Sequence, residues 1–190
     1  MAFTDGVMAV AVTLLVLNLE VPDVSAEELD DALVDLLSSL GAYVLSFALV
    51  GRFWVLHHSL FETLRAFDGR LMALNLLFLA LICLMPFATN LYDDYSDESI
   101  AAAVFGATLG MAALVNWLMH VHIVRAKLVR EEHRKATGVF ASPVAFGFTA
   151  VFLLSVPVAF ISPYLAVLLW ISTIVLRYPL RRLSGRASSA

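Results

Sequence analysis

Phe3-Thr4-Asp5-Gly6-Val7-Met8-Ala9-Val10-Ala11-Val12-Thr13-Leu14-Leu15-Val16-Leu17-Asn18-Leu19-Glu20-Val21-Pro22 is the stretch on which the fold turns. It carries one acid in its first turn and no further charge until Glu20. About 20 such residues cross the hydrocarbon core of a bilayer as a helix. Backbone in contact with lipid has to satisfy its hydrogen bonds within the segment, so a helix is the expected form. No basic stretch precedes the run and no small-residue cleavage site closes it, which marks a retained helix rather than a signal peptide.

The rest of the chain repeats the pattern. Of 190 residues, 61% are hydrophobic and 15% charged, against about 45–50% and about 25% in a soluble domain. A single soluble core cannot absorb that excess. With Phe3–Val21, five further apolar runs stand out: Leu37–Leu60, Leu71–Leu91, Ile100–Ile123, Val139–Phe160 and Pro163–Tyr178. They are too continuously apolar for the alternating strands of a membrane β-barrel. The expected fold is an all-α integral membrane protein with six transmembrane helices over residues 1–180 and a basic, fraying tail at 181–190.

The links order these spans. Ser25 and Glu28 read as a helix N-cap and its capping-box partner. Leu29, Leu33, Leu36, Leu37 and Leu40 follow at helical spacing with acids between them, so a surface-lying amphipathic turn or two leads into the second span. Asp93-Asp94-Tyr95-Ser96-Asp97-Glu98 is acidic, whereas Arg125–Lys135 is basic. In a six-helix arrangement all twelve Lys and Arg fall on one side, together with Asp5, Glu62, Asp68, Glu131 and Glu132. The remaining acids fall on the other, so the formal charge of -4 divides into +7 and -11. By the positive-inside rule both termini are cytoplasmic, and an odd helix number would scatter the basic residues over both faces.

Several functions are excluded at this stage. One cysteine, Cys83, rules out disulfide frameworks and four-cysteine metal sites. The chain lacks the basic, aromatic-interleaved stripe of a nucleic-acid binder. It also lacks a phosphate loop, a dinucleotide fingerprint and a nucleophile–base pairing, so no enzyme and no cofactor are expected. His57-His58 and His120-x-His122 point in different directions on a helix, and neither pair chelates a metal alone. Their expected role is polar bonding between helices at the cytoplasmic end, where Trp54, His57 and Asn75 are placed to reach Asp5. Interfacial placement serves His58, His120 and His122 equally well. Pro86, Pro157 and Pro163 mark kinks or helix ends. Gly106 and Gly110 permit close helix contact, and Asn116 suits an interhelical hydrogen bond.

On the first helix, Val10, Leu14 and Leu17 recur at i, i+4 and i+7, so they share one face with Thr13 beside it. Periodicity alone reads this stripe as ordinary helix packing. Asp5 likewise reads as a cap, because the positive end of the helix dipole favours an acid there.

Phe3-Thr4-Asp5-Gly6-Val7 and the Ala9–Leu17 run resemble the first-helix signature of the transmembrane protein 175 family, which comprises endolysosomal potassium channels and shorter bacterial relatives. The family pattern is Phe-Ser-Asp followed by an Ala/Ile/Thr/Leu run that ends near Pro, here Pro22. Gly51-Arg52-Phe53-Trp54-Val55-Leu56-His57-His58 resembles the family's Trp-x-x-His element. Thr4 stands where Ser is usual, which keeps the hydroxyl, and Asn18 where many members have Glu. An Arg usually precedes the signature by a few residues, and this chain begins too late to contain it. One six-helix repeat of this length is similar to the bacterial members.

The resemblance implies a potassium-permeable homotetrameric channel in a bacterial plasma membrane, with the first helices around the pore. On the matching positions Val10, Leu14 and Leu17 would form hydrophobic rings that gate by dewetting. Thr13 would form a ring of hydroxyls giving moderate K⁺-over-Na⁺ selectivity. Phe3, Thr4, Asp5, Trp54, His57 and Asn75 would hold the pore helix in place. The implied partners are K⁺ and other monovalent cations, lipid and three further copies. A secondary transporter or proton-coupled cation exchanger using Asp5 and His57 is the alternative, with the objection that no acid sits near mid-membrane.

Overall fold

Where the apolar runs begin and end as helices is set by local chemistry. The computed structural model describes residues 2–133 and 143–175. Its helices are α1 (Ala2–Leu14, continued by a 3₁₀ turn at Leu15–Asn18), α2 (Leu29–Glu62), α3 (Gly69–Cys83), α4 (Met85–Asp94), α5 (Ser99–Arg125), α6 (Pro143–Ala159) and α7 (Pro163–Val175). No strand occurs among the described residues, and Leu64 and Val129 form an isolated antiparallel bridge. Residues 139–142 of the fifth predicted span, 176–178 of the sixth and the 181–190 tail lie outside the described residues.

Three expectations are corrected. The first span is shorter than Phe3–Val21, because the chain turns extended at Leu19 (φ -91°, ψ 93°) after the 3₁₀ turn. As expected, the amphipathic segment before Leu37 runs into the second span, and α2 is unbroken through 34 residues. At about 1.5 Å per residue it is longer than the roughly 30 Å hydrocarbon core. Ser25 does not cap it: the Ser25 hydroxyl and N–H both donate to Glu28 Oε2 (3.0 and 3.4 Å), closing a local turn ahead of α2. Finally, Leu71–Leu91 is divided at Leu84 into α3 and α4. Pro86 has no N–H to continue the ladder, so the helix restarts there.

α5 occupies the centre, packed against α3, α4, α6 and α7, while α1 lies against α2, α3 and α4. Its composition makes this possible. Ala101, Ala102, Ala103, Gly106, Gly110, Ala112 and Ala113 are all buried and let neighbouring backbones approach. A Cβ built on Gly106 would lie 2.6 Å from Ser155 Oγ, and one on Gly110 would lie 2.7 Å from Leu153 Cδ2 and 3.3 Å from the Leu153 backbone nitrogen. Ser155 is fixed in place: it donates to the Phe152 carbonyl (2.6 Å) and accepts from Trp170 Nε1 (2.8 Å). Gly106→Val is therefore expected to cost about 1–3 kcal/mol through overpacking, seen as a lower melting temperature of the solubilised protein. Gly41→Ala, with nothing within 4 Å of the added Cβ and a helical backbone that favours Ala over Gly, should leave the melting temperature unchanged or slightly raised.

Arg52 is a cation well inside α2, ten positions before its end. Its Nη1 donates to the Thr173 carbonyl in the last turn of α7, and its guanidinium lies 4.2 Å from the centroid of Phe148. A cation at a helix C-terminus meets the negative end of the dipole, and the aromatic face adds a further attraction. Thus the basic residue nearest mid-span meets a helix-terminal carbonyl and an aromatic ring.

Candidate functional site

Two faces of α1 differ in what they touch. Thr4, Met8 and Ala11 are buried against the rest of the chain, as is Leu15 in the following turn. Val10, Leu14 and Leu17 are 57%, 41% and 69% exposed, and Thr13 beside them is also exposed. Packing within the chain, the simpler reading of this stripe, is therefore taken by a different set of residues. The 3₁₀ turn preserves the alignment, because residues three apart eclipse one another there and keep Leu17 in line with Leu14. Thr13 Oγ1 donates to the Val10 carbonyl at 2.8 Å. Its proton is thereby turned toward the helix, and the oxygen lone pairs remain available as acceptors.

At the start of α1 a set of polar side chains links three helices. Trp54 Nε1 donates to Asp5 Oδ1 at 3.1 Å. Asn75 Nδ2 donates to Thr4 Oγ1 at 3.1 Å, and Asn75 Oδ1 lies 2.8 Å from His57 Nε2. An amide oxygen only accepts, so His57 carries its proton on Nε2. The His57 ring sits between Phe61 (centroids 4.2 Å apart) and Phe78 (5.0 Å), stacked on both. Thr4, at 5% exposure, and His57, at 2%, are buried, whereas Phe3 is exposed. Of the three residues placed to reach Asp5, Trp54 does so, whereas Asn75 bonds Thr4 and His57 bonds Asn75.

For two histidines the sequence left polar bonding and interfacial placement equally open. His58 lies between Asp5 (3.6 Å from Nδ1) and Glu62 (3.4 Å from Nε2). The signal was available: Trp54, His58 and Glu62 are spaced i, i+4, i+8 and share one face of α2. His122 is likewise engaged, with Nε2 at 2.8 Å from Asp68 Oδ2. Asp68 also caps α3 by accepting from the Leu71 N–H at 2.8 Å. That N–H first, and His122 after it, hold the Asp68 carboxyl below the usual carboxylate range. His120 Nδ1 bonds the Asn116 carbonyl within α5. Asn116 is buried, but its Oδ1 has no hydrogen-bond partner among the described residues, so the interhelical bond expected through it is not made by that oxygen. No group of three His, Cys, Asp or Glu able to hold a metal ion occurs among the described residues.

The chain resembles known proteins along most of its length. Residues 1–86 match the family model described as endosomal/lysosomal potassium channel TMEM175. A potassium channel of Streptomyces collinus is 34% identical over 85% of this chain and 81% of its own. A potassium channel of Chryseobacterium sp. is 32% identical over 87% of this chain and 84% of its own. The crystal structure of a lysosomal potassium-selective channel TMEM175 homologue from Chamaesiphon minutus superposes with a TM-score of 0.82 at 30% identity, covering 95% of this chain and 94% of that one. Sequence and fold agree over most of the chain, the family model over its first 86 residues, and the chain belongs to the TMEM175 family.

Proposed function

We propose that the chain is one subunit of a potassium-permeable channel in which four copies place α1 around a central path. One observation carries this reading: Val10, Leu14 and Leu17 form an exposed apolar stripe on α1 while a different face does the packing. The potassium channels among its relatives support the choice of ion. A lone helix cannot enclose a pore, whereas symmetry-related copies of one helix can. The stripe then becomes a series of apolar rings that close the path by dewetting.

Six crossings carry the chain through the membrane, three by the long helices α2, α3–α4 and α5 and three by the shorter apolar α1, α6 and α7. Charge bias sets both ends on the cytoplasmic side of a bacterial cell membrane. The acid-rich outer face concentrates cations at the mouth in a salt-dependent manner. Selectivity falls to the Thr13 oxygens and is moderate, since no Thr-Val-Gly-Tyr-Gly filter is present. Conduction is passive and needs no cofactor. An exchanger would ask Asp5 and His57 to trade a proton, yet Asp5 is bonded to Trp54 and His57 to Asn75.

The reversal potential of purified protein in liposomes tests the proposal. It should follow the K⁺ gradient and move little with pH; strict dependence on the proton gradient would replace the channel by an exchanger. Thr13→Ala is expected to lower the K⁺/Na⁺ permeability ratio roughly threefold, about 0.7 kcal/mol of barrier difference, with current retained. An unchanged ratio removes Thr13 from the selectivity step.

A further inference from the structure

The turn after α2 and the turn after α5 are joined by backbone. Arg65 N–H donates to the Leu128 carbonyl (2.9 Å) and Arg130 N–H to the Thr63 carbonyl (3.0 Å), on either side of the Leu64–Val129 bridge. Leu64 and Val129 are buried at 5% and 6%. Alternation along an extended pair then sends Arg65 and Arg130 outward. The Arg65 Nε also donates to the Lys127 carbonyl at 3.1 Å.

α5 ends in a Schellman closure, with Leu128 N–H to the Ile123 carbonyl (3.0 Å) and Lys127 N–H to the Val124 carbonyl (3.3 Å). Lys127 occupies the left-handed position at φ 55°, a place where glycine is the usual residue. Arg65, Arg70, Arg125, Lys127 and Arg130 are all exposed around this junction, and Phe67 beside them is 56% exposed. Two neighbouring acids are engaged elsewhere, Asp68 with His122 and Glu62 with His58, and Glu131 beside Arg130 is exposed.

From this arrangement we infer that the zipped turns form a binding platform for anionic phospholipid headgroups of the cytoplasmic leaflet. The junction stands at one end of all three long apolar helices, since α2 finishes, α3 starts and α5 finishes there. That is headgroup level in the proposed orientation. Phe67 is an aromatic of the kind that seats at the lipid interface. Orientation by charge bias needs only the number of basic residues near a span. It does not need them locked by two backbone bonds, a buried bridge and a lysine in a conformation that suits glycine. Guanidinium and ammonium groups carried on a backbone fixed in this way match a phosphate ester bearing negative charge.

The platform rests on the proposed orientation but not on conduction, so its test uses binding. Purified full-length protein is titrated with phosphatidylglycerol, with phosphatidylcholine and with inorganic phosphate, and bound lipid is counted by native mass spectrometry. Phosphatidylglycerol should be retained, in a salt-sensitive manner, in preference to the other two. A basic residue near an anionic surface is worth roughly a fivefold change in binding. The Lys127→Gln/Arg130→Gln variant should therefore bind phosphatidylglycerol about thirtyfold more weakly. Arg70→Gln/Arg125→Gln removes the same charge without touching the zipped backbone and should weaken binding similarly. Arg181→Gln/Arg182→Gln, with equal charge lost from the tail, should leave binding intact. Equal retention by all variants, an equal loss in the tail variant, or equal retention of phosphatidylcholine overturns the platform, whatever the reversal potential shows.

Discussion

Val10→Asn is expected to raise K⁺ flux into liposomes about tenfold, equivalent to roughly 1.4 kcal/mol off the barrier to permeation, with the melting temperature unchanged. The two halves of that expectation come from the same fact. Val10 is 57% exposed on α1 and contributes little to packing within the chain, so its loss leaves the fold alone. In a four-fold assembly the substitution places four amides in one ring, and polar groups hold the water that an apolar constriction expels. Met8→Asn is the control, because Met8 is 1% exposed on the opposite face. It buries an amide in apolar surroundings, so it should lower stability and open nothing. Leu14→Asn and Leu17→Asn extend the series, and the variant with the largest gain marks the tightest ring. Unchanged flux in a folded, assembled Val10→Asn protein would take Val10 out of the gate.

The sequence revealed the helices more readily than their joints. Long apolar runs need only composition and order to be read, and among the described residues the helices follow them. Contacts set by several chain segments at once were less legible. Thr63-Leu64-Arg65 and Leu128-Val129-Arg130 look like ordinary loop, because each half of their bridge has meaning only when the other lies beside it. Lys127 gives no local hint of a left-handed backbone, since lysine is otherwise a good helix former. Charge bias says nothing of what Arg52 touches, and its carbonyl and aromatic partners come from α7 and α6. The Gly106/Gly110 pair, common by chance in apolar helices, gains its meaning from Ser155 and Leu153 across the contact. In the polar cluster the expected bonding between helices pointed to Trp54, His57 and Asn75, the first two within the family's Trp-x-x-His element. Helical spacing from Trp54 would have added His58 and Glu62, had it been followed one and two turns further.

Asn75→Leu should have the largest effect on stability of any single change in the polar cluster. Asn75 links two buried groups, accepting from His57 and donating to Thr4. Its removal strands an imidazole N–H at 2% exposure and a hydroxyl at 5%. Each unsatisfied buried group costs about 1–3 kcal/mol, so a loss of roughly 2–4 kcal/mol is expected by thermal denaturation of the solubilised protein. The asymmetry of hydrogen-bond energetics supplies the decisive comparison. Thr4→Val/His57→Phe/Asn75→Leu leaves no polar group stranded, and the slot between Phe61 and Phe78 already suits an aromatic ring. That triple variant should recover most of the lost stability. It should not recover the parent's flux, because directional bonds fix the height and rotation of α1 against α2 and α3 whereas apolar contacts allow both to slide. Recovery of stability and flux together would reduce the cluster to packing. Recovery of stability alone would identify it as the element that holds the pore helix in register.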